Sequence, residues 1–332
     1  MRLGFVSSVS NKVLSVKLYE NNNNIILKIP VRGVVMSSQK NDLILTSVVL
    51  LISIFIISVV SIAVGKNSVK ISGIPAVYFC AFLALGIQWL AWIPASIMKT
   101  ERFYDLTGGL TYLIILGFSL WIGSSGSNLG TREILVTALV SIWSLRLSSF
   151  LYLRIHKRGK DGRFDELKTS FVRFLIPWTL QGLWIFLTMI VVIVINSQSQ
   201  PSPPLGITDL IGLLLWIAGF LIEVVADKQK SEFNSKSENL GKWIDTGLWS
   251  KSRHPNYFGE ILLWFGIACF GIACFEGSEL VTWISPLFVY LLLTKVSGIP
   301  ILDKRGLEKW GEIPEYIIYR ESTPRLFPKL IK

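Results

Sequence analysis

Long stretches of apolar residues recur along almost the whole of this 332-residue chain, and they limit what it can fold into more than any other feature. A helix that crosses a lipid bilayer needs about 20 mostly apolar residues. Eight runs meet or approach that length: 43–64, 74–98, 110–123, 134–153, 171–195, 207–226, 261–275 and 281–296. The third and seventh are short, so totals of seven or nine spans stay open. The sequence therefore predicts an all-α, polytopic membrane helical bundle with about eight transmembrane helices.

Charged residues are scarce and unevenly placed. They make up 17% of the chain, and the net charge is +11, whereas soluble domains contain about 25% charged residues. Basic residues crowd the loops after the fourth, sixth and eighth runs, and the loops 197–204 and 276–280 contain none. Since basic loops stay in the cytoplasm, we predict that both chain ends are cytoplasmic. The loop with Lys66 and Lys70 is an exception to the rule, because this topology places it on the opposite side of the membrane. A nucleic-acid partner needs a basic face on a soluble domain, and we predict no such partner.

Residues 1–41 have a different composition from the rest, because they are basic, contain many serines and include a single acidic residue, Glu20. Such a composition is typical of an organelle transit peptide. The alternative is a disordered basic tail beside the first span. We expect an endoplasmic reticulum membrane, with a plastid or mitochondrial membrane as the alternative.

Cysteine and histidine offer no metal centre. The three Cys lie inside apolar runs, and the two His have no further ligands at metal-binding spacing. A structural zinc site needs about four close ligands. The sequence therefore predicts no bound metal.

Three ionisable residues fall within or beside the apolar runs: Arg146, Glu223 and Asp227. Ionisable groups at membrane depth are costly and are usually functional or paired. Glu223 and Asp227 are four residues apart and share a helix face, so their charges repel unless a cation lies between them. Alternatively, Arg146 reaches toward the interface and Asp227 is solvated there.

The densest polar segment reads Ser-Arg-His-Pro-Asn-Tyr-Phe-Gly-Glu from position 252 and precedes an apolar run. Pro255 suits the first turn of a helix, and the free amides of that turn favour phosphate. Arg253 and His254 lie beside this start, while Asn256 and Glu260 are four residues apart and enter the membrane on one face. The pattern indicates a phosphate-bearing ligand; an ordinary interfacial loop is the alternative.

This segment resembles the signature of the steroid 5α-reductase-like membrane reductases, and most closely an uncharacterised branch described as 3-oxo-5-alpha-steroid 4-dehydrogenase-like. Further stretches resemble the same branch, so that the likeness covers about residues 75–328: 101–109, 154–165, 223–229, 297–300 and 316–328. The resemblance implies a membrane reductase domain over 42–332, whose C-terminal half, about 134–328, holds NADPH from the cytoplasmic side. It implies hydride delivery to an activated carbon–carbon double bond in a hydrophobic steroid-like or lipid substrate that enters from the bilayer.

The resemblance also implies residue roles near the cofactor. Carried onto matching positions, Asn256 and Glu260 contact the nicotinamide end, and Asp227 lies in the cofactor pocket. We also assign to the cofactor residues whose charge and donors suit a pyrophosphate or a 2′-phosphate: Arg253, His254 and Tyr257. A second charged loop on the same side is expected to close over the adenosine end: Arg154, Arg158, Asp161, Arg163 and Asp165.

The substrate side is less defined. The resemblance implies a Glu and a Tyr from the N-terminal half at the substrate carbonyl, and no position here matches them. Tyr104 with Asp105, or Gln88, are the candidates, and Glu260 is expected beside the reaction. Tyr316, beyond the last span, belongs to either a lid on the cofactor or an interfacial helix.

Two other functions remain open at this point. Isoprenylcysteine carboxyl methyltransferases, which use S-adenosylmethionine, carry a similar Arg-His-Pro-x-Tyr motif before a late helix. A sterol or lipid binder without activity on the same scaffold is the other alternative, because a fold does not fix a function.

Overall fold

The computed structural model describes the backbone of residues 6–329 apart from 11–12, 21–22, 31 and 127–128, and side chains from residue 39 onward apart from 126–128 and 158. Within this part, α-helices follow in the order α1 Arg32–Val64, α2 Ala76–Met98, α3 Tyr104–Gly126, α4 Thr131–Arg158, α5 Leu175–Ser197, α6 Ile207–Ser235, α7 Pro255–Gly271, α8 Ile284–Leu291, α9 Ile299–Trp310 and α10 Pro314–Ser322. A π-helical turn, Leu292–Val296, joins α8 to α9. Short 3-10 helices lie at Gly65–Asn67, Leu167–Thr169, Ser237–Asn239, Gly247–Ser250 and Gly277–Trp283.

The described strands form two antiparallel sheets. Near the N-terminus β1 Val6–Ser10, β2 Val13–Glu20 and β3 Asn23–Pro30 pair as an antiparallel sheet in that order. After α1, the strands β4 Lys70–Ile71 and β5 Ile74–Pro75 form a small hairpin. Whether residues 1–41 are a basic tail or a transit peptide stays a prediction.

Seven helical segments of the described chain are long and apolar enough to cross a membrane, judged by length and composition. They are α1 to α6 and the continuous segment Gly277–Trp310, which contains α8, the π-helical turn and α9. The remaining predicted span forms α7, which has 17 residues and is at the lower limit of spanning length. The predicted all-α polytopic bundle is thus confirmed, with α7 as a short helix beside seven longer spans.

Helix α5 is the axis of the bundle, because 83% of its most apolar stretch is buried, against 22% for α1. Its side chains are also hydrogen-bonded to three neighbouring helices. Trp89 of α2 donates to the hydroxyl of Thr179 at 3.0 Å, and the hydroxyls of Tyr112 of α3 and Thr188 lie 2.6 Å apart. Asn196 donates to hydroxyl groups of α3 and α4 at 3.1 and 2.9 Å. These bonds fix the rotation of α2, α3 and α4 around the axis.

Helices α6 and α7 pack with their backbones in contact. Glycines face each other at two levels, Gly212 with Gly266 and Gly219 with Gly259. A Cβ atom at Gly259 would lie 2.5 Å from the carbonyl oxygen of Gly219, and one at Gly212 would lie 2.7 Å from that of Gly266. Small residues permit this approach in membrane bundles. The acidic face of α6 is thereby placed directly against the polar start of α7.

The two ends of the bundle differ in charge. The loops 99–103, 159–174 and 236–254 and the chain after residue 310 lie together at what we call the basic end, where the backbone N–H of Arg253 donates to Pro324. At the opposite end a buried ion pair, Arg132 to Asp209 at 2.7 Å, joins α4 to α6. Arg132 also donates to the carbonyl oxygen of Pro203 at 2.7 Å. These contacts hold α4, α6 and the loop that precedes α6 together at this end of the bundle.

Candidate functional site

An inner cavity of about 330 Å³ lies among α3, α4, α5, α6 and α7, with the π-helical turn at its back. Its apolar wall includes Trp143, Trp184 and Leu293. Seven of the residues predicted from the sequence also line it: Asp105, Arg154, Arg163, Asp227, Asn256, Tyr257 and Glu260. The fold thus brings the polar start of α7 and part of the charged loop to one chamber.

A guanidinium binds both acids of α6 that line this chamber. Arg146 of α4 donates to Glu223 at 2.5 Å and to Asp227 at 2.6 Å. Trp143 adds an indole N–H to the second oxygen of Glu223 at 3.2 Å, and the Asn256 amide donates to Asp227 at 3.2 Å. The cation required between Glu223 and Asp227 is therefore Arg146, and its side chain is only 18% exposed rather than extended toward the interface.

Glu260 differs from the other two carboxylates. It faces the same chamber, yet among the described residues no group donates a hydrogen bond to it. The described lining contains four carboxylates, of Asp105, Glu223, Asp227 and Glu260, and two guanidinium groups, of Arg154 and Arg163. Glu260 is half-buried at the cavity wall, so its carboxylate is the acceptor that a ligand can reach.

The charged loop after α4 forms the mouth of the inner cavity. Arg163 binds Asp161 at 2.6 Å, and the backbone N–H of Asp161 donates to Glu101 at 2.9 Å. Lys168 donates to the other oxygen of Glu101 at 2.9 Å. Burial alone would raise the pKa of Asp161, but the hydrogen bonds and charge of Arg163 outweigh burial and hold that pKa below its ordinary value. The loop is therefore held against the turn between α2 and α3.

Not every member of this loop reaches the cavity. The Asp161 carboxylate accepts from Arg163, and Asp165 pairs with Lys160 and Lys168 at 3.1 and 3.0 Å. Both acids therefore stabilise the loop and are absent from the described cavity lining, in contrast to the expected role of Asp161 at the cofactor. The side chain of Arg158 lies outside the described residues.

Three predicted cofactor residues line a different chamber. Arg253, His254 and Tyr316 face a second cavity of about 240 Å³ at the basic end, which we call the basic cavity. The rings of His254 and Tyr257 stack 5.8 Å apart at an angle of 10°. Because Tyr257 lines the inner cavity, this ring pair separates the two chambers. The predicted cofactor residues thus line two cavities, and their binding to a single cofactor stays a prediction.

His254 is fixed by a carboxylate of α9. Its Nε2 lies 3.3 Å from Asp303. Burial lowers the pKa of His254 below its ordinary value, although the hydrogen bond and charge of Asp303 oppose this effect. His254 is therefore neutral at pH 7, and it adds no charge to either cavity.

The predicted substrate-side residues are placed unevenly. Tyr104 donates its hydroxyl to the carbonyl oxygen of Pro177 at 2.9 Å, and its ring packs against Phe164 and Trp178 at 4.9 and 5.1 Å. It therefore does not line the inner cavity, because its hydroxyl is held within this aromatic cluster. Gln88 is also outside the described lining and donates to a threonine hydroxyl at 2.9 Å.

Sequence reasoning missed Tyr112, which lines the inner cavity two turns beyond Asp105 on α3. The signal was present, because residues at spacings of three, four and seven share a helix face. Glycines at 108 and 109 lie on that face and open the space in front of it. A helical projection centred on Asp105 would have identified Tyr112.

Comparisons with known proteins place most of the chain in one family. The family model described as "Protein of unknown function (DUF1295)" matches residues 91–323. The chain is also similar to "Uncharacterized protein C594.04c" of Schizosaccharomyces pombe, with 26% identity over 237 residues that cover 62% of this chain and 66% of that protein. The chain thus spans just under two thirds of that relative. No solved structure matches it.

Proposed function

Because the chain belongs to the DUF1295 family of proteins of unknown function, whose matched region contains the whole inner cavity, we propose its function from that cavity. It is an NADPH-dependent membrane reductase of the steroid 5α-reductase-like branch, and it reduces an activated carbon–carbon double bond in a hydrophobic steroid-like or lipid substrate. One observation carries the proposal: Asn256 and Glu260, one helical turn apart, both line the inner cavity together with Asp227.

The donor set of the inner cavity fits the cofactor. A nicotinamide carboxamide has N–H donors and a carbonyl acceptor, which suit the unpaired carboxylate of Glu260 and the amide of Asn256. The oxygens of Asp227 suit ribose hydroxyls. Arg154 and Arg163 at the mouth suit phosphate oxygens. When bound, NADPH supplies the hydride.

The protein residues around this position control water and protons. Trp143, Trp184 and Leu293 form an apolar wall, and exclusion of water strengthens every electrostatic contact inside. To Tyr112 we assign the hydrogen bond to the carbonyl oxygen of the substrate, where an acid stabilises the developing enolate. Its hydroxyl rests 2.6 Å from that of Thr188, which donates in turn to a carbonyl oxygen at 2.8 Å. In this chain the phenol proton of Tyr112 points to Thr188, and we propose that it turns to the carbonyl oxygen of the substrate when the substrate binds.

The setting of the reaction follows from the two ends of the bundle. We propose that the basic end faces the cytoplasm, where NADPH is available, and that the protein resides in the endoplasmic reticulum membrane. Apolar side chains on the outer faces of α1 to α4 are exposed, for example Phe55 at 68% and Phe82 at 72%. Lipid therefore surrounds the bundle, and a hydrophobic substrate arrives through it.

The test of the cofactor is direct. Mass spectrometry of small molecules retained by the protein in mild detergent should detect a nicotinamide dinucleotide phosphate; S-adenosylmethionine instead would favour a methyltransferase. We expect Glu260→Gln to weaken NADPH binding about tenfold or more, the loss of one charge-assisted hydrogen bond. Glu232→Gln is the matched control, since Glu232 is 63% exposed on α6, and it should bind NADPH as the wild type does. Equal affinity of the two variants would refute the assignment.

A second substitution separates binding from turnover. Tyr112→Phe keeps the ring, which packs edge-on against Trp143 at 5.3 Å, and removes only the hydroxyl. We expect NADPH affinity to stay unchanged while reduction of an enone panel falls about a hundredfold or more, the scale of one lost oxyanion donor. Unchanged turnover would exclude Tyr112 from the reaction.

A further inference from the structure

The basic cavity has no part in the proposed reduction, and its composition points to a separate ligand. It lies between the end of α6, the loop 236–254, α9 and α10. Five basic side chains occur among its described lining residues: Lys230, Lys242, Arg253, Arg305 and Lys309. The carboxylate among those lining residues is Asp303. The chamber thus has a marked excess of positive charge.

Asp303 does not neutralise the lysines. It accepts from Arg253 at 3.1 Å, from His254 at 3.3 Å and from Arg325 at 3.1 Å. Lys309 rests over the ring of Trp310 at 4.6 Å rather than on a carboxylate. Among the described lining residues, no carboxylate therefore pairs with Lys242, Arg305 or Lys309.

Buried nitrogen atoms in the same chamber lack partners. Two N–H groups, the Nε of Arg253 and the Nε1 of Trp243, are buried without a hydrogen-bond partner among the described residues. The Arg253 side chain is only 13% exposed. A buried donor without an acceptor costs about 1–3 kcal/mol. Unsatisfied donors beside surplus cations indicate that an anionic acceptor belongs here.

The aromatic and apolar residues that line the basic cavity indicate which chemical group the anion is attached to. Trp243 packs against Trp310 at 6.1 Å and against Tyr316 at 5.1 Å, which gives one aromatic face. Apolar side chains also line the chamber, among them Ile244 and Leu302. A bare inorganic anion would leave this apolar surface unused. An ester with an organic portion covers it.

We propose that the basic cavity binds a phosphate ester, with Arg253 and Trp243 donating to the phosphate oxygens and Lys242 and Lys309 supplying charge. Either a lipid headgroup or a soluble metabolite can present this chemistry. The inference does not rest on the proposed reduction, because the stacked rings of His254 and Tyr257 divide the two chambers. The site remains whether or not the inner cavity binds NADPH.

The test uses the full-length purified protein and two probes. Native mass spectrometry counts phosphatidic acid retained from nanodiscs of phosphatidylcholine with and without that lipid. Thermal unfolding in detergent measures the stabilisation by adenosine monophosphate. NADPH is not used as a probe, because its phosphates could bind in the basic cavity while the cofactor binds in the inner cavity, and the two binding events could not be told apart. Binding of phosphatidic acid identifies a headgroup site, and binding of adenosine monophosphate identifies a soluble ester.

Matched variants distinguish the cavity from the general charge of the basic end. We expect Lys242→Gln with Lys309→Gln to weaken binding of the responding probe about tenfold or more. Lys236→Gln with Lys304→Gln removes the same charge outside the lining, at side chains 63% and 79% exposed, and should leave binding unchanged. Trp243→Phe, which keeps an aromatic side chain and removes the unsatisfied N–H, should weaken binding severalfold. Binding of neither probe, or equal losses in both double variants, would overturn the proposal.

Discussion

The backbone contact between α6 and α7 makes a quantitative prediction about stability. In Gly259→Ala the new Cβ would lie 2.5 Å from the carbonyl oxygen of Gly219, about 0.9 Å short of the 3.4 Å at which ordinary contact begins. The opposing atom is backbone, so the helices have to separate by roughly that distance. Overpacking of this kind costs about 1–3 kcal/mol.

The same separation acts on the inner cavity. The Asn256 amide bonds Asp227 across the helix pair at 3.2 Å, and a shift of several tenths of an ångström takes it beyond hydrogen-bonding distance. We therefore expect Gly259→Ala to lower both the midpoint of thermal unfolding and the affinity for NADPH. Gly117→Ala is the control, because a Cβ there meets no atom within 4 Å, and it should be neutral or stabilising by up to about 1 kcal/mol.

A double substitution tests whether separation of α6 and α7 causes the predicted loss of stability. Gly219→Ala demands the same separation, because its Cβ would lie 2.6 Å from the Gly259 carbonyl oxygen. Once the helices are apart, the second methyl group costs little, so the loss in the double variant should be clearly smaller than the two single losses combined. Strict additivity, or a Gly259→Ala midpoint equal to that of Gly117→Ala, would refute the reasoning.

Two further predictions concern charge. Arg146→Met leaves Glu223 and Asp227 without their shared cation, and we expect a loss of about 3–5 kcal/mol in the free energy of unfolding, with partial recovery in Arg146→Lys; a loss below about 1 kcal/mol would show that the pair is not buried as described. The pKa of Asp161 is held below its unfolded value by Arg163 despite burial, so its contribution is complete above the unfolded pKa, near 4, and disappears as pH falls through the lower folded value. The midpoint of thermal unfolding of wild type should therefore exceed that of Asp161→Asn at pH 7 and converge with it in acid; a constant difference across that range would contradict the linkage.

Much of the fold could be predicted because lipid imposes a simple length requirement on helices. The spans follow the apolar runs, and α7 begins at Pro255 as a proline at the first turn predicts. What hydropathy could not indicate is which helix lies at the centre. Lipid tails are as apolar as a protein core, so the buried α5 and the lipid-facing α1 look alike in sequence.

For the candidate site, the sequence predicted which residues share a helix face. It did not predict that the site residues are divided between two cavities. Asn256 and Glu260 share a face because of their helical spacing, and that relation needs no tertiary information. The separation of Arg253 and His254 from them depends on the stacking of His254 against Tyr257 and on Asp303 from a distant helix. Adjacent residues at a helix start point in different directions, and neighbours remote in sequence decide which chamber each one lines.

The central position of α5 also has a consequence for biogenesis. Trp89 of α2 and Tyr112 of α3 emerge from the ribosome before the threonines that bond them. Until α5 inserts, these helices lie in lipid without the hydrogen-bond partners that α5 provides, and they are free to rotate about their long axes. The insertion of α5 therefore fixes the rotational orientation of the helices synthesised before it. A pause in translation ahead of Leu175 would prolong the interval in which misassembly can occur.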